Sequence, residues 1–173
     1  LVGRKIAITT HQPQTTCRAI RGILNRPDGQ LILVDTPGLH RPRTLLGQRL
    51  NDVVRATLTD VDVIGFCVPA DQKVGPGDAF IANELAAIGR TPKVAVVTKT
   101  DLVGRDRVAE QLMAVSRLAD FTEVVPVSAT GGDQVGLLAD LFIGLLPEGP
   151  ELYPGGELTD EPEAVMVAEL VRE

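Results

Sequence analysis

The sequence has little with which to cross-link, stack or insert. Only two cysteines, Cys17 and Cys67, stand among 173 residues. That is too few for a disulfide framework and points to a reducing, cytoplasmic setting. There is no tryptophan, one tyrosine and four phenylalanines, so aromatics make up 3%. A core must then come from Val, Leu, Ile and Ala, and the 44% hydrophobic content supplies them. Such a core suits a parallel sheet covered by helices better than an aromatic-rich sandwich. No apolar run approaches the roughly 18 residues that read as a membrane-spanning helix, and no signal peptide opens the chain. The net charge of −6 excludes a generally basic nucleic-acid surface, so any RNA contact is local or belongs to a partner domain. The opening Leu1-Val2-Gly3 has no initiator methionine and reads as the end of a helix, which places the expected N-terminus upstream.

What is present is alternation. Residues 19–25 read as a strand, Arg26-Pro27-Asp28-Gly29 as a turn, and residues 30–35 (QLILVD) as a short apolar run ending in an acid. Together they predict an antiparallel hairpin. Further strands are expected at 61–68 (VDVIGFCV), 93–98 (KVAVVT) and 123–127 (EVVPV), with helices near 45–58, 77–89, 105–118 and 133–146. Val108, Leu112, Val115 and Leu118 illustrate the helical spacing. The length fits one domain with a single core. Strand and helix alternating over 30–146 imply right-handed βαβ units and a parallel sheet. Buried parallel strands are continuous apolar runs, and Cys67, inside one of them, reads as a core residue. After residue 147 the composition turns to Pro, Gly and Glu, a linker at 148–162, with 157–163 expected to be solvated. Residues 163–173 (EAVMVAELVRE) regain helical periodicity and read as the start of a further unit.

Ligands of such sheets sit beyond the carboxyl ends of the strands. Three small motifs stand there: Asp35-Thr36-Pro37-Gly38 after QLILV, Thr98-Lys99-Thr100-Asp101 after KVAVV, and Ser128-Ala129-Thr130 after EVVPV. Each alone is weak; their order, spacing and common placement make the set strong. An acid at a strand end can hold magnesium through water. A glycine just after a turn lets its N–H approach a phosphate closely. An aspartate can accept hydrogen bonds from guanine N1–H and N2–H, a donor pair that adenine lacks. A lysine stem covers the flat face of a base or ribose while its charge stays wet. His11 and His40 have no cysteine or acid spacing around them and do not read as metal ligands.

These motifs resemble the third, fourth and fifth motifs of translation-factor-type GTPases. Residues 5–18 (KIAITTHQPQTTCR) are similar to the first switch region of the Era family, and Asp35-Thr36-Pro37-Gly38-Leu39-His40 to its third motif. The resemblance covers the whole chain. It implies an α/β, P-loop GTPase-like three-layer sandwich with a mostly parallel sheet and one antiparallel hairpin strand. Residues 1–147 would be a partial G domain and 163–173 the start of a KH-type RNA-binding domain. The implied ligands are GTP/GDP and Mg²⁺. Asp35 would hold the metal through water, and Thr16, with Thr15 as second choice, would close on it in the GTP state. Gly38 would offer its N–H to the γ-phosphate. Thr98, Lys99, Asp101 and Ser128 would grip the guanosine, with the Ala129 N–H on guanine O6. The family further implies a GTP-hydrolysing switch of small-subunit ribosome assembly, cytoplasmic, reaching 16S rRNA through the KH domain and touching the inner membrane peripherally.

Three departures qualify the match. Thr98 stands where the family has Asn, and a hydroxyl replaces only part of an amide's hydrogen bonding, so weaker guanine affinity is expected. Leu39 follows the D-T-P-G where Ras-like enzymes place a water-orienting Gln, so slow intrinsic hydrolysis is expected. The family's first strand and its G-x-x-x-x-G-K-S/T loop do not occur in the sequence. That strand would lie between the one ending at Asp35 and the one at 61–68, leaving these two without a common neighbour. Residues 1–173 alone are therefore expected not to hydrolyse GTP. Two other readings stay open: a non-enzymatic protein-binding module derived from a GTPase, and another GTPase of the same branch, of the tRNA-modifying or tandem-G-domain type.

Overall fold

The computed structural model describes residues 1–3, 19–39, 44–153 and 158–159. His11, Thr15, Thr16, Cys17, His40 and the stretch 163–173 lie outside the described residues. Where length suggested a single core, the chain forms two compact units, Leu1–Thr59 with Glu148–Glu173, and Asp60–Pro147.

In the first unit, β1 (Ile20–Arg26) and β2 (Gly29–Asp35) pair antiparallel, from Ile20↔Asp35 to Arg26↔Gly29. The connection is thus Pro27 and Asp28, where the sequence places it. Arg26 closes the turn: its Nε and Nη2 donate to the two Asp28 carboxylate oxygens, each at 2.8 Å. That hydrogen bonding holds the Asp28 carboxyl below its ordinary range. Helix α1 (Leu45–Asp60) begins with a side-chain cap, the Gly47 N–H donating to Thr44 Oγ1 at 3.1 Å. It buries Gly47, Asn51 and Val54, which share one helix face. The expected linker is in part docked: residues 151–153 and 158–159 bond the hairpin instead of standing free in water.

In the second unit, β3 (Ile64–Pro69), β4 (Lys93–Thr98) and β5 (Glu123–Pro126) form a parallel sheet in that order. They alternate with α2 (Pro76–Ala86), α3 (Arg105–Ser116) and α4 (Val135–Leu145). Middle strand β4 is buried at every residue but Thr98, the continuous apolar run expected of a strand covered on both faces. Strand β3, an edge strand among the described residues, alternates instead: Ile64, Phe66 and Val68 are buried, Gly65 and Cys67 exposed. This corrects the core reading of Cys67, which an apolar run cannot distinguish from an outward-facing position. On the inward face Phe66 stacks on Phe121, with ring centroids 5.9 Å apart.

α3 packs on β4 and β5. α4 approaches the opposite face of β3 at Gly65, where a Cβ would stand 3.3 Å from Phe142 Cζ. Gly65→Val is therefore expected to displace Phe142, itself buried, and to destabilise the unit by about 1–3 kcal/mol. Thermal unfolding checks this; an unchanged Tm would mean that α4 yields without loss.

The expected architecture, an α/β sandwich with a parallel sheet and an antiparallel hairpin, is present. Its strands make two sheets, and no described strand pairs with both β2 and β3. No buried side-chain nitrogen or oxygen among the described residues lacks a hydrogen-bond partner.

Candidate functional site

Strand register brings the second unit's motifs to one edge. Pro69 pairs beside Thr98, and Val97 beside Pro126, so β3, β4 and β5 end together. The main chain stays tied just beyond: the Ala70 N–H donates to Thr98 O and the Val127 N–H to Val97 O, both at 2.8 Å. From α3, Gln111 Nε2 donates to Pro69 O at 3.0 Å. Arg107 Nη2 reaches Gln72 O at 3.1 Å and Gln111 Oε1 at 3.2 Å. Buried Gln111 thus fixes the β3 end, and Arg107, bonded to it, holds the loop leaving β3.

After Thr98 the chain turns sharply. Lys99 takes a left-handed backbone at φ 57°, uncommon for a residue with a Cβ. A single 3₁₀ turn, Thr100–Leu102, follows, closed by the Leu102 N–H on Lys99 O at 3.1 Å. This kink sets Asp101 on the exposed rim. There Ser128, only 2% exposed, donates its Oγ–H to Asp101 Oδ1 at 2.6 Å and accepts the Gly131 N–H at 2.9 Å. The short Ser–Asp bond is charge-assisted. It holds one carboxylate oxygen and leaves Oδ2 directed to no group among the described residues.

The loop after β5 is closed by a bridge between Ser128 and Asp133, the Ser128 N–H donating to Asp133 O at 3.1 Å. Its tip exposes Ala129, whose N–H donates to nothing among the described residues. Glycines make this loop feasible. Gly132 has φ +75°, and a Cβ on Gly131 would stand 3.0 Å from Ser128 Oγ. The roles of Gly131 and Asp133 escape the motif reading, although the Gly131-Gly132 pair is a turn signal in its own right.

Thus Lys99, Asp101, Ser128 and Ala129 share one rim, with Thr98 half-buried beneath it. A rim with a carboxylate acceptor and a free amide donor complements a planar edge carrying donors beside a carbonyl. Asp35 and Gly38 belong to the first unit, Asp35 exposed at the last position of β2. A Cβ on Gly38 would meet nothing within 4 Å among the described residues. Thr16 lies outside the described residues.

A family profile described as "50S ribosome-binding GTPase" matches residues 1–99, and the chain belongs to that family of GTPases. Within it the likeness is to GTPase Era. The chain is 66% identical to GTPase Era of Streptomyces coelicolor and 62% to that of Nocardioides sp., in both cases along 100% of its own length. It spans 56% and 57% of those relatives, little more than half of each. Among solved structures, Era in complex with MgGDPNP and nucleotides 1506–1542 of 16S ribosomal RNA matches with TM-score 0.92 and 31% identity, over 99% of this chain and 58% of that one. An Aquifex aeolicus Era variant bound to GDP·AlF4⁻ matches with TM-score 0.90 and 30% identity, over 98% of this chain and 58% of that one. The Era-type resemblance carried by the strand-end motifs therefore holds.

Proposed function

We propose that the protein is a GTP-binding and GTP-hydrolysing switch that serves assembly of the small ribosomal subunit. The carrying observation is the rim of the second unit, where Ser128 orients Asp101 at 2.6 Å beside the open Ala129 N–H. On this reading Asp101 accepts guanine N1–H and N2–H, Ala129 donates to O6, and the Lys99 stem covers the base. Thr98 supplies the support that an Asn gives elsewhere in the family. The relatives named GTPase Era, and the Era structure holding MgGDPNP and 16S rRNA, support the same assignment.

Mg²⁺ fits the chain chemically. Magnesium keeps most of its waters and takes one or two carboxylates plus substrate phosphates, so Asp35 would hold it through water and Thr16 would close on it in the GTP state. When bound, it would neutralise charge on the phosphates. Gly38 offers its backbone N–H to the γ-phosphate, and the open space where its Cβ would stand leaves room for it.

The proposed division is a G domain over 1–147, a connecting segment over 148–162 and the start of a KH-type domain at 163–173, through which the protein would reach 16S rRNA. The proposed location is the cytoplasm; no helix among the described residues is long and apolar enough to cross a membrane. Peripheral contact with the inner membrane draws no support from the relatives or the fold.

Titrating the full-length protein with a fluorescent GDP analogue, then following GTP turnover with Mg²⁺, tests the reading. Binding of GDP and GTP but not ATP is expected, with slow turnover. No guanine-nucleotide binding by the full-length protein would end it. Ser128→Ala is expected to weaken GDP binding about tenfold, the loss of one strong positioning hydrogen bond at ~1.4 kcal/mol. Unaltered affinity would mean that Asp101 needs no support.

A further inference from the structure

The outer edge of β1 is occupied by the chain's own downstream segment. In an antiparallel pair the N–H and C=O of alternate residues point to the partner strand, and those between point away. In β1 the outward groups belong to Arg21, Ile23 and Asn25. The Ile23 N–H donates to Leu158 O at 2.8 Å, and Thr159 Oγ1 donates to Arg21 O at 2.6 Å.

A second anchor lies near the turn, at Gln30 of β2. Its Oε1 accepts the N–H groups of Leu152 and Tyr153, both at 3.0 Å. Its Nε2 donates to Tyr153 O at 3.0 Å, to Asn25 Oδ1 at 2.6 Å and, more weakly, to Glu151 Oε1 at 3.4 Å. An amide has two acceptor sites and two donor hydrogens, so this side chain is saturated. The first anchor, at 151–153, lies at the turn end of the hairpin and the second, at 158–159, lies at Arg21 and Ile23, so their order runs opposite to β1. Arg21 adjoins Ile20, the register partner of Asp35.

We propose that residues 151–153 and 158–159 are two anchors of a strap on the outer edge of β1, clamped by Gln30, which hold Thr159 at the Asp35 end of the hairpin. The strap also covers a strand edge of the kind that pairs with other chains when it is exposed. Its bearing on nucleotide rests on the reading of Asp35 given above, because Thr159 is then held at the same end of the hairpin as the metal-binding residue. Its test needs no nucleotide and so fails or succeeds apart from that reading.

The test is amide hydrogen exchange on the full-length protein. Ile23 faces away from β2, so its amide is protected only if the strap is docked, whereas that of Leu24 is protected by the hairpin itself. Gln30→Glu keeps the size and the acceptor oxygen but turns an acceptor toward Tyr153 O and Asn25 Oδ1. It is expected to speed Ile23 exchange at least tenfold, with Leu24 unchanged. Thr159→Val is expected to act in the same direction, more weakly. Should Gln30→Glu loosen the hairpin, Leu24 would accelerate too, and Thr159→Val, which alters no hairpin side chain, decides the case. Fast Ile23 exchange in the native protein, or exchange unchanged in both variants, would overturn the proposal.

Discussion

Asp101→Ala is expected to lower the affinity of the full-length protein for GDP and GTP by about a hundredfold or more. A hydrogen bond to a charged group is worth roughly 1.5–3 kcal/mol, and the carboxylate would accept two from guanine, so ~3 kcal/mol or more is lost. ITP lacks the N2 amino group, and the native protein should already bind it more weakly than GTP. Asp101→Ala should accordingly reduce ITP binding less than GTP binding. Asp101 is exposed, so the fold should survive, but its loss takes the acceptor from the buried Ser128 hydroxyl, and Tm is expected to fall by roughly 2–8 °C, about 1–2 kcal/mol. Competition titrations with GTP, ITP and ATP check the prediction. Equal GTP affinity in variant and native protein would remove Asp101 from the base site.

The second large effect concerns stability. Lys93 opens β4 and is 7% exposed, an unusual place for an ammonium group. Its Nζ donates to Ile88 O at 2.7 Å, Thr91 O at 2.9 Å and Gly89 O at 3.3 Å. These carbonyls follow the end of α2, where the helix dipole presents negative charge. All three ammonium hydrogens are thereby used, and the cation joins the end of α2 to the start of the central strand. Lys93→Met keeps the apolar stem and removes the donors. It is expected to destabilise by about 2–3 kcal/mol, lowering Tm by roughly 5–10 °C. Lys93→Arg should fall between. A Met variant melting with the native protein would mean that water replaces the ammonium at no loss.

The legible part of the fold was the part governed by local pattern. The two-residue turn at Pro27 and Asp28 follows from turn chemistry, and β4 from a continuous apolar run. All four helices were expected within a few residues of their bounds. The strand-end positions of Asp35, Asp101 and Ser128 follow from counting strands and applying the rule that parallel sheets bind ligands at their carboxyl ends. The Ser128–Asp101 pair was not legible, because the bond joins residues 27 apart that meet only through the register of β4 and β5. Cys67 was misplaced for a related reason. Its neighbours are apolar, but β3 buries only alternate residues, and the pleat turns the thiol outward.

The sequence by itself determined the class of architecture, the three motifs and the chemistry they can perform, because periodicity and turn preference act over a few residues. Only the tertiary structure decided which polar groups find one another: Lys93 on the end of α2, Gln111 on the end of β3, Ser128 on Asp101 and Gln30 on the returning chain. Each is a buried or half-buried group whose partner is chosen by the need to leave no hydrogen bond unmade. That need arises only once strands and helices have been brought together.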